Sequence, residues 1–405
     1  MAGRILHVTY DGLLEPLGAS QVVPYVEALA ADGFALDVLS FEKRADLVDH
    51  ARRSATAARL AAAGVPWTAR RWHARPVVPA TAWDVATGTL AAVGQRPSVV
   101  HARGYVAASI GLAVRRATGA ALLFDMRGFW VDERVEAGIW APGAAVVRAA
   151  RRLERLLLAS ADAVVVLTAR AAAELKARTA SRCAAPVHVV PTCVDLTRFR
   201  PAGDRARARA ALGLRTGPVV VHAGTLASWY LAEATFAIGA AFARLTGGTF
   251  LVLTRDRARA AGLATRLAPE AVVHTAAPED VPRWLAACDA GLAAVRPDPA
   301  KRASAPTKLA EYLACGLAVA TTRGVGDLDV QLAGADVAVT FDADAEPGGV
   351  ARRLAAAATR PDRVRAARGL AGRLFALERG TAAYGAIYRA LGATPSAPAR
   401  LAEGA

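Results

Sequence analysis

The chain has 405 residues, 54% of them apolar, with 50 Lys and Arg against 35 Asp and Glu for a net charge of +15. At roughly 100–200 residues per domain the length suggests two or three domains, and the apolar fraction excludes a disordered chain. Only Lys43, Lys176, Lys301 and Lys308 are lysine, so the other 46 of the 50 cations are arginine, a bias that weakens any simple inference from charge to nucleic acid.

The chain opens on an expected strand over 4–10, with no signal-peptide pattern before Ile5-Leu6-His7-Val8-Thr9-Tyr10. Further strands are expected over 35–40, 67–72, 98–102, 120–125, 162–167 and 187–190. Helices fill the gaps at 19–32, 45–63, 79–94, 105–117, 143–160 and 169–180. A run such as Ala163-Val164-Val165-Val166-Leu167 is apolar on both faces, which argues for a parallel sheet covered on both sides. Pro191 to Pro201 is irregular, and a basic helix then runs to Leu212. The alternation restarts at Pro218 to Val221, followed by the turn His222-Ala223-Gly224-Thr225. Strands follow at 249–254, 271–275, 289–294 and 317–321, with helices at 230–245, 256–266, 279–287 and 305–315. Helices near 347–358, 361–374 and 376–391 close the chain, and the tail after Gly392 reads as frayed.

Strand–helix alternation of this kind implies βαβ units. The fold class is therefore α/β, with two Rossmann-like doubly wound domains and a cleft between them. The boundaries are 1–195, 196–374, a closing helix over 375–392 that returns to the first domain, and a flexible tail over 393–405. Cys183, Cys193, Cys288 and Cys315 are dispersed without C-x-x-C spacing, which suits a reducing compartment. No uninterrupted apolar run reaches about 18 residues, so no spanning helix is expected.

Ligands of such folds bind outside the carboxyl ends of the strands. The strongest signal there is Ser304-Ala305-Pro306-Thr307-Lys308-Leu309-Ala310-Glu311-Tyr312-Leu313-Ala314-Cys315-Gly316. Ser304 reads as an N-cap, Pro306 fits a first helical turn, and Gly316 fits a left-handed stop. The helix start offers free N–H groups and a partial positive charge, which suits a phosphate. Lys308 adds an ammonium, and Glu311 lies on the same face and can accept two hydroxyl hydrogen bonds. The plainer reading is a well-capped helix with a local Lys308–Glu311 pair.

This stretch resembles the nucleotide-sugar motif of family 4 glycosyltransferases, which have the GT-B fold. It belongs to the form with a Pro-Thr-Lys-x-x-Glu-Tyr core. Other segments agree in order: Ile5 to Tyr10 with Gly18-Ala19-Ser20-Gln21, His222-Ala223-Gly224-Thr225, Val281 to Leu292, and Phe375 to Leu391. The resemblance implies transfer of a sugar from a nucleoside-diphosphate sugar to an acceptor hydroxyl with retention, by a cytoplasmic enzyme needing no metal or other cofactor. By motif position Glu311 would hold the ribose. Ser304, Pro306, Thr307 and Lys308 would face the diphosphate, with Gly224 and Thr225 lining it and Gly18 letting the backbone approach. Lys308, Glu311 and Arg127 make up the implied catalytic set. A departing diphosphate needs fixed donors and cations.

Three departures stand out. The common motif has two glutamates, and the first falls here at Ala303. The Arg and Lys expected after the donor loop are missing from Gly224-Thr225-Leu226-Ala227-Ser228-Trp229-Tyr230, so Lys308 is expected to replace them. Ala19 stands for the second glycine of the first loop.

The first domain would take the acceptor: a saccharide, a lipid-linked saccharide or a small molecule. Arg103, Asp125, Arg127 and Glu133 are the candidates, with Arg127 where the family often has histidine. His7 and His101 read as core residues. Residues 51–100 carry a charge of +6, with Arg70-Arg71-Trp72-His73-Ala74-Arg75, which fits peripheral contact with an anionic membrane or a lipid diphosphate. Nucleic acid is not expected as a partner. Two other functions share these features: a nucleotide-sugar epimerase, and an inactive partner subunit, to which the lost glutamate and missing cation pair would point.

Overall fold

A parallel strand buried on both faces needs helices above and below it, and the chain supplies them in strict alternation. The structure is a computed structural model that describes residues 3–179, 185–227 and 229–396. These form two compact units. The first comprises Met1–Val135, Trp140–Val190 and Glu378–Ala405, as far as these are described, and the second Glu136–Ile139 and Pro191–Leu377.

The first unit holds strands β1 (Ile5–Thr9), β2 (Leu36–Glu42), β3 (Trp67–Arg71), β4 (Val99–Arg103), β5 (Ala121–Asp125), β6 (Ala163–Val166) and β7 (Val187–Val189). They make one sheet in the order β3-β2-β1-β4-β5-β6-β7, and every pairing is parallel. The chain reverses direction across the sheet between β1 and β4, so their carboxyl ends flank the switch point where such folds bind ligands. The closing helix Leu377–Ala390 packs here, bringing Tyr384 and Tyr388 beside His101.

The second unit holds β8 (Val219–Ala223), β9 (Thr249–Leu253), β10 (Val272–His274), β11 (Ala290–Ala293), β12 (Ala318–Thr322) and β13 (Ala338–Phe341). The order is β10-β9-β8-β11-β12-β13, again all parallel, with the switch between β8 and β11. Side chains alternate between two cores. Val219 and Val221 face Leu251 and Tyr312, while Val220 faces the other way, toward Phe236, Phe250 and Val252. Among the described residues no helix is long and apolar enough to cross a membrane.

Gly291 in β11 shows how tightly this core closes. A Cβ there would run into the ring of the fully buried Tyr312. The Tyr312 hydroxyl accepts a 2.8 Å hydrogen bond from the Ala223 N–H, at the very end of β8. Gly291→Ala is therefore expected to cost about 1–3 kcal/mol by overpacking, read from urea melts.

Several expectations need correction. The helix expected over 19–32 is two helices, Pro16–Gln21 and Val23–Ala31, interrupted at Val22, two residues before Pro24, which has no N–H to donate. The helix over 45–63 is also two, the second starting at His50, where the Asp49 carboxylate accepts from the Arg52 N–H. Strand β13, the helix Trp130–Glu136 and the 3-10 turn Pro299–Ala303 lie outside the expected elements. Ser304 does not cap a helix. It ends the 3-10 turn, and the N-cap of the following helix, Thr307–Ala314, is Pro306 with no side-chain cap bond. The start of the tail is anchored rather than frayed: Ala393 is buried and donates to Tyr388 O, and Ser396 donates to Gly33 O at 2.9 Å. Residues 397–405 of the expected tail, and Cys183, lie outside the described residues.

Candidate functional site

In the second unit the site grows from the ends of β8 and β11. β8 ends at Ala223, and Gly224 follows with φ +121°, a conformation that favours glycine. The helix Thr307–Ala314 begins beyond the β11 loop. Lys308 sits in its first turn and is 7% exposed. Its Nζ has no hydrogen-bond partner among the described residues. It lies 3.9 Å from the centre of the Tyr230 ring, and a Cβ on Gly224 would come within 3.1 Å of it. Burial pulls the ammonium down to about 7, against a smaller opposing effect of Glu311. Lys308 and Glu311 form no ion pair, so the local-pair reading of the motif fails.

Glu311 is half-buried, and burial pushes its carboxyl up to about 7, opposed by the charges of Arg198 and Lys308. His222, buried at the end of β8, is held neutral by burial and by Lys308. Thr225 is exposed and donates its hydroxyl to Asp256 Oδ2 at 2.6 Å, and that carboxylate also accepts from the Leu226 N–H at 3.0 Å. Its hydroxyl thus shapes the loop. Pro306 and Thr307 open the helix. The Ser304 N–H donates to Lys301 O at 3.1 Å. Ala303 is buried.

Lys301 joins the site without having been a candidate. It is 4% exposed, with Nζ 4.1 Å from the centre of the Trp229 ring. In place of the expected Arg and Lys, Trp229 and Tyr230 present aromatic faces to Lys301 and Lys308, a cation–π arrangement. The loop supplies the rings and the Pro299–Ala314 segment supplies the cations. The available signal is numerical: two of only four lysines lie seven residues apart in this segment.

In the first unit Arg103, Asp125 and Arg127 come together at the carboxyl ends of β4 and β5. Asp125 is 1% exposed. Its Oδ2 accepts from the Tyr384 hydroxyl at 3.0 Å and lies 3.5 Å from His101 Nε2. Arg127 Nη1 is 3.6 Å from that oxygen and Arg103 Nη1 3.8 Å. His101 Nδ1 and the Tyr388 hydroxyl share a 2.7 Å hydrogen bond, and the His7 ring stacks edge-on to His101 at 4.3 Å. Burial works to raise the Asp125 carboxyl, but Arg127, His101 and Arg103 outweigh it and hold it well below the usual range. Arg127 has φ +57°, a conformation uncommon outside glycine, and its side chain is the more exposed of the two arginines.

Two further candidates belong to this unit. Glu133 lies on the helix Trp130–Glu136, its carboxylate beside Gly128. Gly18 lies in the helix Pro16–Gln21, where any Cβ would strike the Gly12 carbonyl. Glu42 carries no sequence signal of its own. Fully buried at the end of β2, it accepts from the N–H groups of Leu13 at 2.8 Å and Leu14 at 3.2 Å, fixing the loop after β1.

Comparison with known proteins bears on the fold. Residues 18–193 match the family model described as a glycosyl transferase 4-like domain. No curated protein sequence matches the chain. Among solved structures, sucrose-phosphate synthase from Thermosynechococcus elongatus is similar at 19% identity, over 96% of this chain and 99% of that one, with TM-score 0.71. The structure of Anabaena Alr3699/HepE in complex with UDP-glucose is similar at 16% identity, over 97% and 100%, with TM-score 0.68. WaaG, a glycosyltransferase involved in lipopolysaccharide biosynthesis, is similar at 13% identity, over 93% and 98%, with TM-score 0.64. The chain thus has the fold of GT-B glycosyltransferases, and its residues 18–193 match the model of a glycosyl transferase 4-like domain.

Proposed function

We propose that this protein is a retaining glycosyltransferase that moves a hexosyl group from a nucleoside-diphosphate sugar to an acceptor hydroxyl. The observation that carries the reading is the Lys308 ammonium, buried, without a hydrogen-bond partner, and in the first turn of a helix with no side-chain cap. A buried cation without a hydrogen-bond partner, beside the N–H groups of a helix start, is well matched to a diphosphate. The similarity to a protein solved with UDP-glucose makes that donor the first to try.

In this reading Lys308, the helix N–H groups and Lys301 stabilise the charge that gathers on the departing diphosphate. Gly224 lets the loop backbone come close to it. Glu311 accepts hydrogen bonds from the ribose hydroxyls. Arg127 is the acceptor-side group, and Asp125 is a positioning residue that fixes Arg127 and Arg103 without needing to touch substrate. The test is a panel of nucleotide sugars with a saccharide, lipid-linked saccharide or small-molecule acceptor. Release of nucleoside diphosphate that depends on the acceptor supports transfer, and proton NMR of the product reads the anomeric configuration. Donor conversion with no acceptor would favour the epimerase instead.

The acceptor we favour is carried at a membrane surface. The helix Val77–Gly94 has a single ionisable side chain, Asp84, and it is buried and bonded to Tyr10 and to His73. Its outer face exposes Val77, Val78, Trp83 and Leu90 by 62–76%, and the cationic segment Arg70 to Arg75 leads into it. An uncharged helix face with an adjoining basic segment suits the surface of anionic lipid. The chain is expected to sediment with vesicles of phosphatidylcholine and phosphatidylserine at 7:3 and much less with pure phosphatidylcholine. Trp83→Glu with Leu90→Glu should reduce the bound fraction severalfold. Equal sedimentation with both vesicles, or no effect of the charges, would contradict this.

A further inference from the structure

We infer that the second unit has an additional anion site, for phosphate or a phosphate monoester, at the amino end of its sheet. A cavity of about 490 Å³ opens there, lined by Arg205, Arg209, Arg360 and Arg363 with Asp289, below the starts of β8 and β11. The charges do not balance. Asp289, 8% exposed, is the carboxylate shared by Arg209 and by Arg363, whose Nη1 lies 3.1 Å from Oδ1. Arg360 has its own partners, Asp336 at 3.1 Å and Asp362 at 3.1 Å. Arg205 has no carboxylate partner among the described residues. It bonds through Nη2 to the carbonyls of Cys315 at 3.1 Å and Gly316 at 3.4 Å. Two guanidiniums thus share one buried carboxylate, and a third beside them has none.

Hydrogen-bond donors are left over as well. The Nε atoms of Arg205 and Arg363 are buried without a partner among the described residues, and Arg363 as a whole is 8% exposed. The helix Arg363–Phe375 starts at the same cavity, which Pro361 and Val364 also line. Its N-cap residue, Asp362, makes no side-chain cap bond and turns its carboxylate to Arg360. Buried surplus positive charge, guanidinium forks and an uncapped helix start together recognise a tetrahedral oxyanion. Burial, then the neighbouring charge of Arg363, lowers the Arg205 guanidinium from its ordinary value, as an unmatched cation requires. The site differs from the Lys308 site: Arg205 holds the carbonyls that follow the helix Thr307–Ala314, and Lys308 sits in its first turn, about 10 Å away along the axis.

The test is calorimetric titration of inorganic phosphate into the full chain at constant ionic strength set with sodium chloride, in the Lys308→Met background so that the donor site is silent. Saturable one-site binding is expected. Thr359→Glu, which puts a carboxylate at the exposed rim without removing an arginine, and Arg205→Gln should each weaken it at least tenfold. Absence of phosphate binding beyond that of chloride would overturn the site. So would binding that Thr359→Glu leaves unchanged, whether or not Arg205→Gln folds. Neither result depends on sugar transfer.

Discussion

Lys308→Met is expected to raise the melting temperature of the free protein while abolishing its response to nucleoside diphosphates. The two effects share one cause. A buried ammonium with no hydrogen-bond partner is a net cost to the fold, and an apolar side chain of similar length removes it, worth about 1–4 kcal/mol. The pH dependence has a definite sign. The folded-state ammonium titrates near 7, far below the ordinary lysine range near 10.4. Between those values the unfolded chain carries the extra proton, so stability rises with pH across that window. The advantage of the methionine variant should therefore be full below pH 7 and fade above it.

Nucleotide affinity carries the opposite linkage. An anionic diphosphate favours the charged ammonium, so binding above pH 7 takes up a proton, and affinity falls as pH rises, by up to about tenfold per unit. Glu311, pushed up to about 7 by burial, acts on the other flank: its ionised form accepts the ribose hydroxyls best, so affinity falls as pH drops below 7. Wild-type binding should peak near neutral pH. Lys308→Met should lose both most of its affinity and the alkaline slope. Unchanged stability together with normal nucleotide binding would refute the role given to this lysine.

Asp125→Asn is expected to destabilise the first unit strongly. Asp125 is the carboxylate facing the cations of both Arg103 and Arg127. Removing one partner from a buried ionic cluster typically costs about 3–5 kcal/mol, because the remaining charge is left unmatched. Asparagine keeps an acceptor for the Tyr384 hydroxyl, so the loss reports mainly charge. The folded-state carboxyl is depressed. Its contribution is therefore fully present above the ordinary carboxylate range and is lost only as pH falls through the lower folded value. The difference between wild type and variant should stay constant from about pH 5 to 8 and shrink only in stronger acid. A loss below about 1 kcal/mol in urea melts at pH 7 would mean that Asp125 does not hold this cluster.

The period of the strands made the architecture legible. Ala163-Val164-Val165-Val166-Leu167, apolar at every position and bounded by helical patterns, can be little else than a covered parallel strand. Short or mixed elements escaped. Ala338-Val339-Thr340-Phe341 alternates half-buried and buried positions at the edge of its sheet. Trp130–Glu136 is barely two turns, too short for a 3.6-residue period to declare itself. Lys308 and Glu311 stand out as candidates in the sequence because a helix start after a strand is a known anion locale. Burial was not, and it is burial that makes Lys308 informative. The grouping of Arg103, Asp125 and Arg127 followed from their places at adjacent strand ends, but the tyrosines that complete the cluster arrive from residues 384 and 388, far along the chain on the closing helix. Lys301 and the rings of Trp229 and Tyr230 meet only in the fold, so the substitution of aromatic faces for loop cations had no local trace.

The most direct test of the account is the thermal shift of wild type and Lys308→Met with a panel of UDP, ADP, GDP, CDP and TDP at pH 7. At least one nucleotide should raise the melting temperature of the wild type by several degrees and leave the variant unmoved, with the variant already the more stable of the two. No shift with any nucleotide, or the same shift in both proteins, would contradict a diphosphate site at Lys308.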